Sequence, residues 1–343
     1  MKHLLNTLFV QTPTTYLSKD GENVVVKNGE NILARIPLHT LECICMFTYK
    51  GASPALMGAC AEYGIQMSFY TPTGKYLASV NSSVNGNVLL RKEQYRISDD
   101  PDKCLQYVKN IILGKVFNEK WVLERTIRNH SARLDTDKLK EASNELSTAI
   151  KSLSEYTDVD SLRGLEGKCA DIYFNVFDEM ILRQKDDFEF EGRSRRPPLD
   201  RINALLSFAY TLLANDCASA LFGVGLDPYV GYLHKDRPGR KSLALDLMEE
   251  LRSPLADRVV ISMINENAIS KNDFEIAQNN AVLLTDDGRK KFLNSWQTKK
   301  NEKISHPFLK EQVEWGLVPY VQAMLLARTI RGTLDEYPPF LWK

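Results

Sequence analysis

Residues 97–123 read ISDDPDKCLQYVKNIILGKVFNEKWVL, and this stretch decides the fold because the spacing of apolar side chains changes there. Apolar residues recur three and four positions apart, as in Cys104, Val108 and Ile111. This is the spacing that places side chains on one face of an α-helix. The pattern predicts a long helix over 101–132 and a change of architecture just before it.

Upstream of this helix, the sequence is patterned as short strands separated by turns. Asp20-Gly21 and Asn28-Gly29 can supply the positive φ angles of tight hairpins, and Asn85-Gly86 repeats the signal. A helix is predicted over 54–63. The predicted strands cover residues 4–10, 23–26, 31–36, 41–47, 65–70 and 75–80. We therefore expect a small β-rich, β-sandwich-like domain over residues 1–97.

Downstream, helical spacing dominates the rest of the chain. The further predicted helices cover residues 137–156, 162–186, 200–222, 242–252, 256–268, 286–301 and 306–332, with a polar loop over 187–198. Residues 98–343 are thus predicted to form a larger all-α domain. The fold class is α+β, with the β-rich domain first.

The sequence favours a cytoplasmic protein that does not enter a membrane. The N-terminal residues lack the apolar core and cleavage site of a signal peptide. The six cysteines lie in apolar segments without a Cys-x-x-Cys motif, which indicates reduced, buried thiols. The apolar run 202–226 is long enough to span a membrane, but Asn203, Asn215 and Asp216 interrupt it, which favours a buried core helix.

The chain has 44 Lys and Arg residues against 44 Asp and Glu residues, so its formal net charge is zero. This balance excludes a protein that binds nucleic acid with its entire surface. Basic residues are nevertheless concentrated locally, with four against one acid in 235–241 and six against one acid in 289–303. Either cluster could contact phosphates, and either could be a solvated surface.

Glu166 is the first candidate for chemistry. It lies in Arg163-Gly-Leu-Glu-Gly167, beside the apolar stripe of a predicted helix. The two glycines weaken the helix, which suggests that another group approaches the backbone closely there. A carboxylate beside an apolar face needs a metal, an arginine or a raised pKa. The alternative is a first-turn glutamate that the helix dipole favours.

His234 and the acidic helix that follows it are the second and third candidates. His234 ends an apolar segment and precedes the basic loop 235–241. Glu249 and Glu250 follow Asp246 by three and four residues, so each shares a helix face with Asp246. Such a cluster is stable if it is solvated or if it binds a cation. The alternatives are a structural histidine and a solvated helix face.

Carboxylates and an imidazole, with no cysteine among them, indicate a site for Mg²⁺ or Mn²⁺ rather than a structural zinc site. The chain has no P-loop, no dinucleotide-binding glycine motif and no Gly-x-Ser-x-Gly motif. Nucleotide hydrolysis, hydride transfer and serine hydrolase chemistry therefore lack support. Metal-assisted phosphodiester chemistry fits the residues that remain.

Four segments together carry a family pattern. They are RGLEG at 163–167, RRPPLDRINALLSFAY at 195–210, GYLH at 231–234 and LDLMEELR at 245–252. In this order and spacing, the chain closely resembles the CRISPR-associated adaptation endonucleases, the integrase subunits of spacer acquisition, over essentially its whole length. The DRPGR loop at 236–240 resembles the subgroup that accompanies type I-C interference systems.

The resemblance implies site residues. Glu166, His234 and Glu249 match the catalytic metal ligands, although many relatives have Asp in place of Glu249. Asp246 matches a supporting acidic position. The residues with implied or expected DNA contacts are Asn203, Ser207, Tyr210, Arg237, Arg240 and Lys241.

The resemblance also implies an activity and partners. It implies a homodimer that pairs through the domain over 1–97, with two dimers bridged by a small companion subunit. The domain over 98–343 would bind the metal and double-stranded DNA and insert short DNA fragments into the repeat array by 3′-hydroxyl attack. The alternatives are a DNA-binding scaffold without catalysis and a nuclease of branched DNA repair intermediates.

Overall fold

The computed structural model describes residues 6–10, 12–71, 76–80, 88–131 and 136–343. The chain divides into two compact units. One unit contains residues 1–86 and 285–293, and the other contains residues 87–284 and 294–343. The first is rich in strands and the second in helices, which confirms the α+β fold class.

The first unit contains seven strands and one helix among its described residues. They are β1 Asn6–Val10, β2 Thr15–Asp20, β3 Asn23–Asn28, β4 Asn31–Pro37, β5 Leu41–Met46, α1 Pro54–Tyr63, β6 Gln66–Tyr70 and β7 Tyr76–Val80. Strands β2, β3 and β4 form an antiparallel sheet. The second sheet has the order β1-β5-β6-β7, with parallel pairing up to β6 and antiparallel pairing of β7. Leu17, Ile44 and Leu56 belong to the core of this unit.

The turn predictions are confirmed where the structure describes them. Gly21 and Gly29 have φ angles of +54° and +61°, and they connect β2 to β3 and β3 to β4. The helix over 54–63 is also confirmed, with Ser53 capping its first turn. Strand β2 was not predicted. The Asn85-Gly86 signal lies outside the described residues.

The second unit is built mainly from helices. They are α2 Val88–Ser98, α3 Pro101–His130, α4 Thr136–Ser152, α5 Val159–Asn175, α6 Arg201–Val224, α7 Ser242–Leu251, α8 Arg258–Asn265, α9 Asp286–Asn301, which begins in the first unit, and α10 Val318–Ile330. Two short hairpins, β8 Phe274–Ile276 with β9 Val282–Leu284 and β10 Lys303–Ser305 with β11 Gln312–Glu314, lie between the later helices.

Three boundaries differ from the sequence prediction. Helix α2 occupies residues that the strand pattern assigned to the β-rich domain, and it belongs to the second unit. Helix α5 ends at Asn175, before a 3₁₀ turn. Helix α10 begins at Val318, where Pro319 fits the first turn, and β10 and β11 precede it.

Helix α6 is a core helix, as predicted. It is the one described helix whose length and apolar composition would suit a membrane span, and 61% of its apolar window is buried. It packs against α7 and α10, while α3 packs against α4, α5 and α7. Cys60, Cys104, Cys169 and Cys217 are buried and free, which agrees with the expectation for these four thiols.

Candidate metal and nucleic-acid site

The three predicted metal ligands converge from three segments of the second unit. Glu166 lies on α5, His234 lies in the loop between α6 and α7, and Glu249 lies on α7. Nε2 of His234 is 3.7 Å from Oε1 of Glu249. The ammonium of Lys115, on α3, forms an ion pair with Oε1 of Glu166 and lies 3.0 Å from Oε2 of Glu249. The three predicted ligands therefore belong to one cluster of side chains, which also contains Lys115.

Asp246 orients His234. Its carboxylate lies 2.6 Å from Nδ1 of the imidazole, and it accepts backbone N–H hydrogen bonds from Tyr232, Leu233 and His234 at 2.6, 3.0 and 2.9 Å. With Nδ1–H donated to Asp246, the lone pair of Nε2 faces Glu249. Histidines that ligate metals commonly donate their other ring nitrogen to a carboxylate in this way.

The loop that carries His234 is held from two sides. Gly231 permits the approach to α7, because a Cβ there would lie 2.7 Å from Cβ of Ser242 and 2.9 Å from Oδ2 of Asp246. On the other side, Nε of Arg163 donates to the carbonyl of Leu233 at 2.6 Å. The start of α5 therefore positions both Glu166 and the histidine loop.

Glu249 is a buried carboxylate with two cationic neighbours. Its side chain is 1% exposed, and Nη2 of Arg252 lies 2.8 Å from Oε1. Burial alone would raise the pKa of Glu249, but Arg252, Lys115 and His234 outweigh burial and hold the pKa below its usual range. The side chain therefore remains ionised at neutral pH, as a metal ligand must.

Lys115 and Glu119 are site residues that the sequence reasoning missed. They lie on α3 with Asn118, and all three side chains are buried. Burial opposes the charge on Lys115, but Glu249, Glu119 and Glu166 raise the pKa of its ammonium. Burial raises the pKa of Glu119 to about 8. The available signal was that these three polar residues share helical spacing with the apolar residues Ile111 and Val122 of α3.

The donor chemistry fits Mg²⁺ or Mn²⁺. Among the described residues, no three His, Cys, Asp or Glu side chains already surround one point closely enough to bind an ion. The Lys115 ammonium instead lies between the carboxylates of Glu166 and Glu249, where it stands in for a cation. Two carboxylates and one oriented imidazole are suitable ligands for these metals once that space is vacated.

Two arginines lie close to the ring of Tyr210, next to this cluster. The guanidinium carbons of Arg193 and Arg252 are 5.3 and 5.1 Å from the ring centroid, and the Tyr210 hydroxyl donates to Asp257 at 2.6 Å. Arg193 contacts neutral oxygens of Ser194, Asn203 and Ser207. Among the residues described, no carboxylate forms an ion pair with Arg193, and no acceptor bonds its buried Nε.

The predicted DNA contacts fall into two groups. Asn203 is fully buried and orients Arg193 and the preceding loop, while Ser207 and Tyr210 are partly exposed beside it. Arg237 is exposed and Arg240 is partly exposed at the end of the basic loop. Nζ of Lys241 donates to Asn215 at 3.0 Å. DNA contact by these residues stays a prediction.

The structure shows the surroundings of the glycines beside Glu166 and of the basic cluster over 289–303. Nothing described lies within 4 Å of where a Cβ would stand at Gly164 or Gly167, so the close approach expected there does not come from this part of the chain. On α9, Phe292 and Trp296 are fully buried, and Lys290, Lys299 and Lys300 pair with acids. The aromatic residues of α9 therefore form its core-facing side.

Comparison with known proteins assigns the family. The family model described as "CRISPR associated protein Cas1" matches residues 8–298. The chain belongs to the Cas1 family. A relative from Chlorobaculum tepidum named "CRISPR-associated endonuclease Cas1 1" is 48% identical over 343 residues, and one from Rhodospirillum rubrum named "CRISPR-associated endonuclease Cas1 2" is 49% identical over 347 residues. Each alignment covers 100% of both chains.

Solved structures show the same fold. A casposase bound to its integration product has a TM-score of 0.84 at 23% identity, covering 99% of this chain and 95% of that one. A Cas1 protein from Thermotoga maritima has a TM-score of 0.81 at 20% identity, covering 96% and 97% of the two chains. The Cas1 fold thus extends over both units of the chain.

Proposed function

We propose that this chain is the divalent-metal-dependent DNA endonuclease and integrase of CRISPR adaptation. The observation that carries the proposal is one cluster in which Glu166 and Glu249 share a buried cation, the ammonium of Lys115, while Nε2 of His234 lies 3.7 Å from Oε1 of Glu249. Each ligand comes from a separate segment, and Asp246 orients the imidazole. A solvated acidic helix face would not bury Glu249 or lock His234 in this way.

These residues would hold one Mg²⁺ or Mn²⁺. When bound, the ion would polarise the scissile phosphate and stabilise charge on the leaving oxygen. Asp246 keeps Nε2 of His234 available as a ligand atom, and Arg252 orients the Glu249 carboxylate through Oε1. Arg193, which has no carboxylate partner among the described residues and lies beside Tyr210, would bind a phosphate that flanks the reacting one.

In the integration reaction, the 3′-hydroxyl oxygen of the incoming DNA forms a bond to phosphorus while the bond to the 3′ oxygen of the repeat strand breaks. That strand leaves with a 3′ hydroxyl, and the number of phosphodiesters is conserved. Water as the nucleophile would give hydrolysis at the same site. One relative is named an endonuclease, which corresponds to the hydrolysis. One solved neighbour is bound to an integration product, which corresponds to the integration.

Solved neighbours support the partners. A Cas6-RT-Cas1–Cas2 complex supports a small companion subunit, and a Cas1–DNA complex supports DNA as a partner of this chain. We further propose a cytoplasmic homodimer that pairs through residues 1–97. The DRPGR loop at 236–240 supports membership of the type I-C-like subgroup.

The test is insertion of a labelled duplex into a repeat-bearing plasmid with Mn²⁺ and the companion subunit. We expect Glu166→Ala, His234→Ala and Glu249→Ala to abolish insertion, and Glu145→Ala, on the exposed face of α4, to leave it unchanged. Wild-type rates in the three site variants, or insertion in EDTA, would overturn the proposal. DNA binding without any metal-dependent product would favour a scaffold, and faster cleavage of branched DNA than insertion would favour a repair nuclease.

A further inference from the structure

A buried lysine lies between two of the three proposed metal ligands. The Lys115 side chain is 4% exposed, and its ammonium contacts carboxylates from two different helices, Glu166 on α5 and Glu249 on α7. A buried ammonium is stable only where carboxylates compensate its charge. Without a metal, Lys115 therefore holds these two side chains together.

The carboxylate oxygens of Glu166 and Glu249 cannot pair with the lysine and coordinate a divalent ion at the same time. Mg²⁺ requires ligand oxygens at about 2.0–2.1 Å, while an ammonium keeps its acceptors at about 2.7–2.9 Å. An ammonium and a divalent cation that shared this space would also repel each other strongly. Binding of a metal by Glu166 and Glu249 therefore requires the ammonium to move.

The structure offers the displaced ammonium a second acceptor. Glu119 lies four residues after Lys115 on α3, so the two side chains are neighbours on one face of the helix. The Glu119 side chain is buried, and its Oε2 accepts no hydrogen bond from the residues that the structure describes. A buried carboxyl oxygen without a hydrogen bond, one helical turn away, is the acceptor that an ammonium released from Glu166 and Glu249 would meet.

We propose that Lys115 is the resident cation of the metal site: it bridges Glu166 and Glu249 in the metal-free protein and moves to Glu119 when the divalent ion binds. This inference rests on the proposed metal site. Its consequence is that the protein binds metal in competition with its own lysine. The site stays assembled without metal, and its affinity for the ion is reduced by the fraction of molecules in which Lys115 occupies it.

The experiment measures Mn²⁺ binding to the full chain by calorimetry, without DNA, and the melting temperature in EDTA and in Mn²⁺. We expect Lys115→Met to bind Mn²⁺ at least about tenfold more tightly, as for a competing state that fills nine-tenths of the sites. Its melting temperature in EDTA should fall, because Glu166 and Glu249 then repel each other, and should recover in Mn²⁺. We expect Glu119→Gln to bind Mn²⁺ more weakly than the wild type.

The control is Lys120→Met, which removes the neighbouring α3 lysine that pairs with Glu124, and it should leave Mn²⁺ affinity unchanged. Wild-type or weaker affinity in Lys115→Met would overturn the inference. A Mn²⁺-soaked wild-type crystal in which Lys115 still bridges both carboxylates would overturn it as well. This second test does not depend on whether any variant folds. If instead His234→Ala binds Mn²⁺ as the wild type does, the metal site itself fails, and the lysine inference fails with it.

Discussion

At the level of single residues, Asp246 organises the histidine loop, because one carboxylate holds three backbone N–H groups and the imidazole of His234. In Asp246→Asn, an amide N–H₂ would replace one acceptor oxygen and face these donors. We expect a loss of about 10–100-fold in metal affinity or insertion activity, the usual effect of removing the partner of a ligating histidine. Calorimetry with Mn²⁺ and the insertion assay measure the two effects, and unchanged values would contradict the assigned role.

Gly231 permits a close approach that any side chain would obstruct. In Gly231→Ala, the new Cβ would lie 2.7 Å from Cβ of Ser242 and 2.8 Å from its backbone carbonyl carbon. We expect a loss of about 1–3 kcal/mol in the free energy of unfolding, as for overpacked cores, together with displacement of the His234 loop. Urea denaturation measures the loss.

Gly167→Ala is the matched control, because its new Cβ would meet nothing within 4 Å among the described residues, and the position is helical. This variant should gain about 0.5–1 kcal/mol in stability. Equal effects of the two substitutions would show that the loop does not pack against α7 as described.

His306 links stability to pH. Its ring is fully buried; Nδ1 accepts from the backbone N–H groups of Phe308 and Leu309, and Nε2 contacts Gln322. Burial lowers the pKa of His306 from 6.5 to about 4. The native state therefore favours the neutral ring. The stability that His306 contributes is fully present above pH 6.5 and is lost as the pH falls towards 4.

We expect the free energy of unfolding to fall by about 3 kcal/mol over that interval through His306, on the scale of 1.36 kcal/mol per pKa unit. His306→Gln should be less stable at pH 7.5 but should show a flatter decline in acid. Urea denaturation from pH 7.5 to 4 makes the comparison, with His130→Gln, at the end of α3, as the control. An equally steep decline in His306→Gln would contradict the assignment.

At the scale of elements, the basic segments differ in how their charge is compensated. Arg193, in the loop before α6, has no carboxylate partner among the described residues, whereas Lys290 on α9 pairs with Asp287 at 3.1 Å. We expect Arg193→Gln to weaken DNA binding and to reduce the slope of log affinity against log salt by about one. Lys290→Gln should leave the slope unchanged. Fluorescence anisotropy at several salt concentrations measures both, and the reverse order would assign the DNA surface to α9.

The elements also show what local sequence signals can predict. Helix α1 begins after the Ser53 cap and ends at Gly64, which has a φ of +70°, so local residues specify both ends. Strand β2 was missed because its side chains alternate weakly and its partner β3 is what stabilises it. The stretch 306–332 has helical spacing throughout, but β11 lies in its first part, where it pairs with β10 in a hairpin that the helical spacing does not reveal.

In the site, too, the sequence signals predicted some residues, and contacts between elements decided the others. Glu166, His234, Asp246 and Glu249 could be predicted because the family pattern marks them in order along the chain. The role of Lys115 was not predicted, because it depends on two carboxylates that reach it from α5 and α7, and its polar neighbours on α3 do not identify those partners. The roles of the two predicted domains, dimerisation and catalysis, remain predictions.

At the scale of the whole molecule, zero net charge is compatible with DNA binding because the site balances its own charges. Glu166 and Glu249 are matched by Lys115 and Arg252, so a bound divalent ion would make the site positive. That excess would attract phosphates only where the ion is bound. A chain with 44 basic and 44 acidic residues can therefore bind DNA locally without a basic surface overall.

We propose above all that Glu166, His234 and Glu249 hold one divalent ion. Anomalous diffraction at the manganese absorption edge, from crystals soaked in Mn²⁺, tests it most directly. We expect one strong peak within bonding distance of both carboxylates and of Nε2 of His234. A protein that inserts DNA in Mn²⁺ but shows no peak there, or a peak only elsewhere, would contradict it.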